Sequence, residues 1–196
     1  MLAIEFANTV RRHGQRYVEL LDTPHDLVEW ADHQGLPLSE RDVGSRLTDV
    51  RALRNAVFAL LLDAAHATPP PGATSPPGAM PRPGATPRPD ATPRPGATPR
   101  PEAEARLNAA LAAVPLIPQL RDGDIALTAP REAPPLDTLL ARVAASALDA
   151  LGDPALAFCD APSCGQFFLR HRGDQRWCGP ACGTRARVAR YAVHHR

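Results

Sequence analysis

Four cysteines, Cys159, Cys164, Cys178 and Cys182, form the whole cysteine complement of this 196-residue chain, at C-x4-C-x13-C-x3-C spacing near its C-terminal end. Two close thiol pairs separated by a short loop suit the tetrahedral coordination of Zn²⁺. A closed four-thiolate set scaffolds the chain and leaves no open position for a substrate water. The spacing therefore points to one structural zinc ion held by these four residues. Other uses of four thiols fit less well. Two disulfides need an oxidising compartment, whereas the chain opens MLAIEFANTV, with no basic stretch followed by an apolar signal core. A redox dithiol favours C-x-x-C, which neither pair has. An iron–sulfur cluster also takes four thiolates, but a pair–loop–pair layout followed by a helix suits zinc better. Four unliganded buried cysteines is the blandest alternative, and their clustering argues against it.

Charge is gathered around the same segment. From Cys159 to Arg196 there are seven arginines against Asp160 and Asp174, so this stretch carries +5 while the chain totals +1 and the remainder −4. That asymmetry is the footprint expected of a nucleic-acid contact. All 22 basic residues are arginine, so arginine at any one position carries no information and only the clustering does. The apolar runs fall short of a membrane span, so a soluble protein with no membrane partner is expected. With no export signal, the expected compartment is the cytoplasm. The chain shows no nucleophile–base pairing, phosphate loop or His-rich metal triad, so no enzymatic activity is expected.

The expected fold is mostly α: a multihelical domain over residues 1–152 with a small β-hairpin, then a zinc finger over 153–196. Residues 68–101 are low-complexity, with PRPGAT at Pro81–Thr86 recurring as PRPDAT and PRPGAT before trailing off as PRPE. A segment so rich in proline and glycine buries too little apolar surface to offset its ordering entropy, and a disordered or polyproline-II loop is expected. Leu2 to Tyr17 reads as a first helix, with Phe6 and Val10 one turn apart. Thr23-Pro24-His25-Asp26 carries a threonine cap, a first-turn proline and a carboxylate at the third position, a helix start. Leu47 to Leu61 and Leu107 to Val114 mark further amphipathic helices. Arg121-Asp122-Gly123-Asp124 suggests a hairpin, and Leu136 to Leu151, including Leu148, a strong helical stripe ended by Gly152 and Pro154.

Within the finger, Cys159 to Gly165 forms a knuckle and Gln166–Leu169 a short strand, with Gly173-Asp174 turning the chain back toward Trp177. Knuckle, short hairpin and helix make a treble-clef-like unit. Phe167, Phe168 and Trp177 are expected to shield the metal. A helix starts near Gly179-Pro180; Arg187, Arg190 and His194 then share one face, with Val188, Ala189 and Ala192 on the other. A basic front is suited to phosphates or a groove, and a solvated face is the plainer alternative.

The run Cys178-Gly-Pro-Ala-Cys182-Gly183-Thr184-Arg185-Ala-Arg187-Val-Ala-Arg190-Tyr191 resembles the CGNR zinc-finger family, described as putative bacterial transcription regulators. That family joins such a finger to an N-terminal helical domain termed ABATE. Phe6-Ala7-Asn8-Thr9 resembles its opening F-x-N-T, and Leu27–Trp30, Leu53–Val57 and Leu107-Asn108 resemble its later helices in order. The resemblance covers nearly the whole chain except the repeats, which interrupt a place where the family has a short loop. Thr184 replaces the family's signature asparagine, which puts base readout there in doubt and leaves phosphate binding intact.

The resemblance implies a DNA-binding regulator whose helical domain senses a small-molecule effector or a stress signal. Candidate DNA contacts are Arg185, Arg187 and Arg190, with Thr184 beside them and Arg176 and Arg196 as outer support. Asn8, Arg51, Arg54 and Asn55 are candidates for an effector pocket, with helix caps and solvated face as the plainer alternative. The rival reading is a protein-interaction adaptor in which zinc only stiffens the finger.

Overall fold

A computed structural model describes residues 1–14, 16–67 and 97–194, with side chains as far as Ala192. Nearly all of the repeat segment, along with Arg196 and the His194 side chain, lies outside the described residues. About half of the chain is helical. The elements run α1 (Leu2–Ala7), β1 (Val10–His13), β2 (Arg16–Glu19), α2 (Pro24–His33), α3 (Glu40–Val43), α4 (Leu47–Ala67) and α5 (Arg100–Ala113). They continue with β3 (Ile117–Arg121), β4 (Asp124–Thr128), α6 (Pro135–Gly152), β5 (Leu156–Cys159), β6 (Gln166–Leu169) and α7 (Pro180–His194). The strands form three separate antiparallel hairpins, β1–β2, β3–β4 and β5–β6.

The core is built where helical stripes meet. Val50, Leu53, Val57, Leu60 and Leu61 of α4 and Leu136, Leu139, Leu140 and Val143 of α6 are buried, with Leu107 of α5 and Ile4 and Phe6 of α1. Leu148 breaks the expected α6 stripe and is 50% exposed. Thr23 caps α2 as its sequence implies: its Oγ1 accepts from the Asp26 N–H while its own N–H donates to the Asp26 carboxylate. Ser39 and Asp42 repeat that box on α3. A missing cap of this kind typically costs about 1 kcal/mol. Asp122 and Gly123 both adopt positive φ, 52° and 90°, as a primed two-residue hairpin turn needs.

The first helix is shorter than expected. It stops at Ala7, and residues up to Glu19 form the β1–β2 hairpin instead of continuing to Tyr17. Thr9 Oγ1 bonds back to the Phe6 carbonyl at 2.7 Å, and Gly14 takes φ 62°, a conformation suited to a tight reversal. Phe6 and Val10 are both buried, one from the helix and one from the strand. Their spacing of four was satisfied without a helix between them.

The end of the repeat segment also departs from expectation. Pro99 caps α5, Pro101 lies in its first turn, and Arg100 pairs with Glu104 at 2.8 Å and with Asp63 of α4 at 3.8 Å. The PRPE stretch therefore opens a helix. Because Arg100 belongs to α5, whose Ala103 and Leu107 are buried in the core, an excision is best drawn at residues 69–96 rather than through Arg100. Such a deletion is expected to leave the melting temperature within a few degrees and zinc content unchanged, because each halving of a flexible loop alters closure entropy by only about 0.6 kcal/mol. Calorimetry with elemental analysis checks this; a large fall in melting temperature would show that the deleted residues pack on the body.

Strand β6 pairs with β5 upstream, Phe158 opposite Phe167, rather than with the segment returning at Trp177. This hairpin is part of the main core. Leu156 and Phe167 are buried in it, and Phe58 of α4 meets Phe167 edge-on at 4.8 Å and Phe158 at 6.0 Å. Helices and finger thus share one hydrophobic interior.

Candidate metal centre

The four cysteines converge from three pieces of chain. Cys159 ends β5, and Cys164 follows a tight reversal in which the Cys164 N–H donates to Ala161 O and the Gly165 N–H to Cys159 O. Gly165 has φ 73°, and a Cβ there would meet the Arg12 Cβ at 3.1 Å, so both conformation and space call for glycine. Cys178 precedes α7, and Cys182 lies in its first turn with its N–H donating to Gly179 O. The Trp177 ring lies against Gly183, where a Cβ would come within 3.2 Å of it.

The four Sγ atoms lie within 4.8 Å of one another. Cys164–Cys178 is 3.6 Å and Cys178–Cys182 3.4 Å, close to the edge of about 3.8 Å for a tetrahedron with Zn–S bonds of about 2.3 Å. Phe168, Trp177 and Ala161 pack around them. Phe167 does not: adjacent residues on a strand face opposite ways, so Phe168 turns to the cysteines while Phe167 enters the main core. The donor set fits zinc electronically too. A hydrogen bond from Cys164 pulls the Cys159 thiol down to about 5; that same bond, with burial, pushes Cys164 up. Burial, with a hydrogen bond to Cys182, pushes Cys178 up to about 12. Thiols this close cannot all ionise against one another, whereas a coordinated divalent cation deprotonates them together. Cys159, Cys164, Cys178 and Cys182 could hold a zinc ion as a structural, closed site.

The N-terminal segment grips this centre. Asn8 makes a paired bond to the backbone of Phe167, donating to its carbonyl at 3.0 Å and accepting from its N–H at 2.9 Å. Arg12 donates through Nη2 to the carbonyls of Ala161 and Asp160, and its own N–H reaches Cys164 O. The Gly14 N–H donates to Ser163 Oγ. A cavity of about 340 Å³ lies between the β1–β2 hairpin and the cysteines, with Arg11, Arg12, His13 and Arg185 among its walls.

Comparison with known families agrees with this architecture. A family model described as "Putative stress-induced transcription regulator", ABATE, matches residues 1–154, and the CGNR zinc finger model matches residues 156–195. The chain belongs to the ABATE family. No curated protein matches it. No helix among the described residues is long and apolar enough to cross a membrane.

In this ABATE protein the expected DNA contacts divide into two groups. Arg187, Arg190 and Arg176 are exposed. Arg185 is exposed as well, but it also donates to Cys182 Sγ at 2.9 Å and so sits beside the metal centre. Thr184 back-bonds to the Pro180 carbonyl and accepts from Arg187 Nη2, both at 3.2 Å. The buried positions of α7 are Cys182 and Ala186, with Ala189 half-buried, whereas Val188 and Ala192 are exposed. The inner face is thus rotated from the expected one.

The expected effector residues are tied into the protein. Arg54, only 2% exposed, forms a two-pronged ion pair with Glu19 at 2.7 and 2.6 Å and donates to Thr9 Oγ1 and Asn55 Oδ1. Arg51 donates to the carbonyls of Leu21 and Asp22 and pairs with the Asp22 carboxylate. With Asn8 on Phe167, three of the four residues hold elements together, and Asn55 braces Arg54 from the next position on α4. Arg12 was not legible as a site residue, because its partners lie about 150 positions away in the chain.

Proposed function

We propose that this protein is a zinc-stabilised, DNA-binding transcription regulator with a treble-clef-like finger, its helical domain serving as the ligand- or stress-sensing part. The carrying observation is that α7 leaves the metal centre and presents Arg187 and Arg190 to solvent. Guanidiniums held on a rigid helix suit phosphate contact. Arg185, bonded to Cys182, supports this surface by offsetting thiolate charge. Thr184 acts as a local brace in this reading, since its hydroxyl is committed to the Pro180 carbonyl. A ligand binding at Asn8, Arg51, Arg54 and Asn55 would have to displace the bonds they make now, which couples such a ligand to the N-terminal grip on the finger.

Duplex binding followed by fluorescence anisotropy across a salt series tests the DNA reading. If about three to five phosphates are neutralised, log affinity is expected to fall against log salt with a slope of about −3 to −4.5. Arg187→Glu with Arg190→Glu should weaken binding to all sequences alike. Thr184→Asn should leave sequence preference unchanged if the position braces the helix; sharpened preference would assign it to base readout. The adaptor reading rests on Val188 and Tyr191, which are 63% and 67% exposed on the same helix. It prevails if wild-type protein shows no DNA affinity at low salt and a protein partner co-purifies through the finger.

A further inference from the structure

The β1–β2 hairpin carries a second basic surface that its reading as a helix concealed. Its register places Arg11 opposite Val18 and His13 opposite Arg16, so Arg11, His13 and Arg16 share one face. All three are exposed, and the only carboxylate of the two strands, Glu19, lies on the opposite face, paired with Arg54. Most body arginines with described partners are neutralised: Arg46 by Asp137, Arg51 by Asp22, Arg100 and Arg106 by glutamates one turn away. Arg11 and Arg16 enter no ion pair among the described residues. Arg11 lies opposite Val18 and Arg16 opposite His13, so that face offers neither guanidinium a cross-strand carboxylate and favours an external anion.

The hairpin is also rigidly tied to the finger. Arg12, on its inner face, bonds the knuckle carbonyls, and Gly14 bonds Ser163, so the outer face is held at the rim of the cavity that Arg185 lines from α7. The floor of that cavity is not where an anion would settle, because a four-thiolate zinc site would carry a net negative charge, already met there by Arg185 on Cys182, while Arg12 is committed to the knuckle carbonyls. The rim at Arg11 and His13, with Arg16 across the strand pair from His13, carries no such burden.

We infer that the β1–β2 hairpin is a second phosphate-contacting element, gripping the backbone of the same duplex that α7 engages. This rests on the DNA-binding function proposed above. The test uses full-length, zinc-loaded protein and a random-sequence duplex, comparing wild type, Arg11→Gln/Arg16→Gln, Arg11→Lys/Arg16→Lys and Arg187→Glu/Arg190→Glu across a salt series. Loss of two phosphate contacts is expected to flatten the log–log salt slope by about 1.8 and weaken binding on the order of tenfold at moderate salt. The lysine pair should restore both, since charge and not shape carries the contact. Zinc content and melting temperature should stay at wild-type values in the glutamine pair, which separates lost contact from lost fold. If wild type and the lysine pair bind, the α7 variant is weakened, and the glutamine pair keeps wild-type slope and affinity, the hairpin inference is overturned while the DNA-binding function stands. If wild type does not bind duplex at all, both fall together.

Discussion

Replacing Cys182 by serine is expected to abolish stoichiometric zinc and to unravel α7 while the helical body keeps its own cooperative melting transition. Structural zinc sites carry apparent binding free energies of about 10–16 kcal/mol, and in units this small that energy is also folding energy. The loss should not spread evenly. Residues 170–192 have little interior of their own beyond Trp177, Ala186 and the thiols of Cys178 and Cys182, which pack against Phe168, Ala161 and the other two cysteines. The β5–β6 hairpin, in contrast, inserts Leu156 and Phe167 into the main core and is held by the paired bond from Asn8. Burying two such side chains contributes about 1.5–3 kcal/mol each. Hydrogen exchange should therefore show protection lost across α7 and kept across β5–β6. Elemental analysis gives the second readout. Full zinc occupancy in Cys182→Ser would remove this residue from the ligand set, and collapse of the whole body would mean that the metal holds the shared core as well.

That partition was only half visible in the sequence. The Thr23 capping box and the Asp122-Gly123 turn are local signals and resolved into the expected geometry because the residues that interact lie within a few positions of one another, while the cysteine pairs, further apart, were legible from their spacing and the chemistry of thiols. The Asn8–Phe167 and Arg12–Ala161 bonds join residues about 150 apart and leave no local trace. Hydrophobic spacing misled at Phe6 and Val10, since a separation of four is also met when a helix end and a strand bury one residue each. The division of labour between Phe167 and Phe168 was available in principle: on a strand, neighbours cannot both face the metal. At Pro99 the repeat identity of PRPE masked an ordinary helix start, a first-turn proline followed by a carboxylate.

Arg54→Met is expected to be the most destabilising single change in the helical body. The Arg54 guanidinium is buried against both Glu19 oxygens, and Glu19 also accepts the Leu21 N–H, so removing the cation strands a carboxylate held close to the core. Breaking one side of a buried pair costs about 3–5 kcal/mol, whereas replacing both partners by apolar residues is often neutral or better. For a body of this size that corresponds to a fall in melting temperature on the order of 10 °C. Arg54→Met/Glu19→Leu should recover a large part of it. Acid supplies a further signature. Burial works against the Glu19 charge, but hydrogen bonds from Arg54 and the Leu21 N–H outweigh it and hold its carboxyl below the usual 4.5. A depressed folded-state value means the pair's contribution is complete above about pH 4.5 and is lost as pH falls through that lower value. Arg54→Met removes the chief lowering partner, and protonation then relieves a stranded charge instead of breaking a pair. The stability gap between wild type and variant should accordingly narrow as the solution is acidified below pH 4.5. Denaturant titrations at several pH values measure that gap directly; a gap that stays constant would mean that the loss comes from packing alone and not from the ion pair.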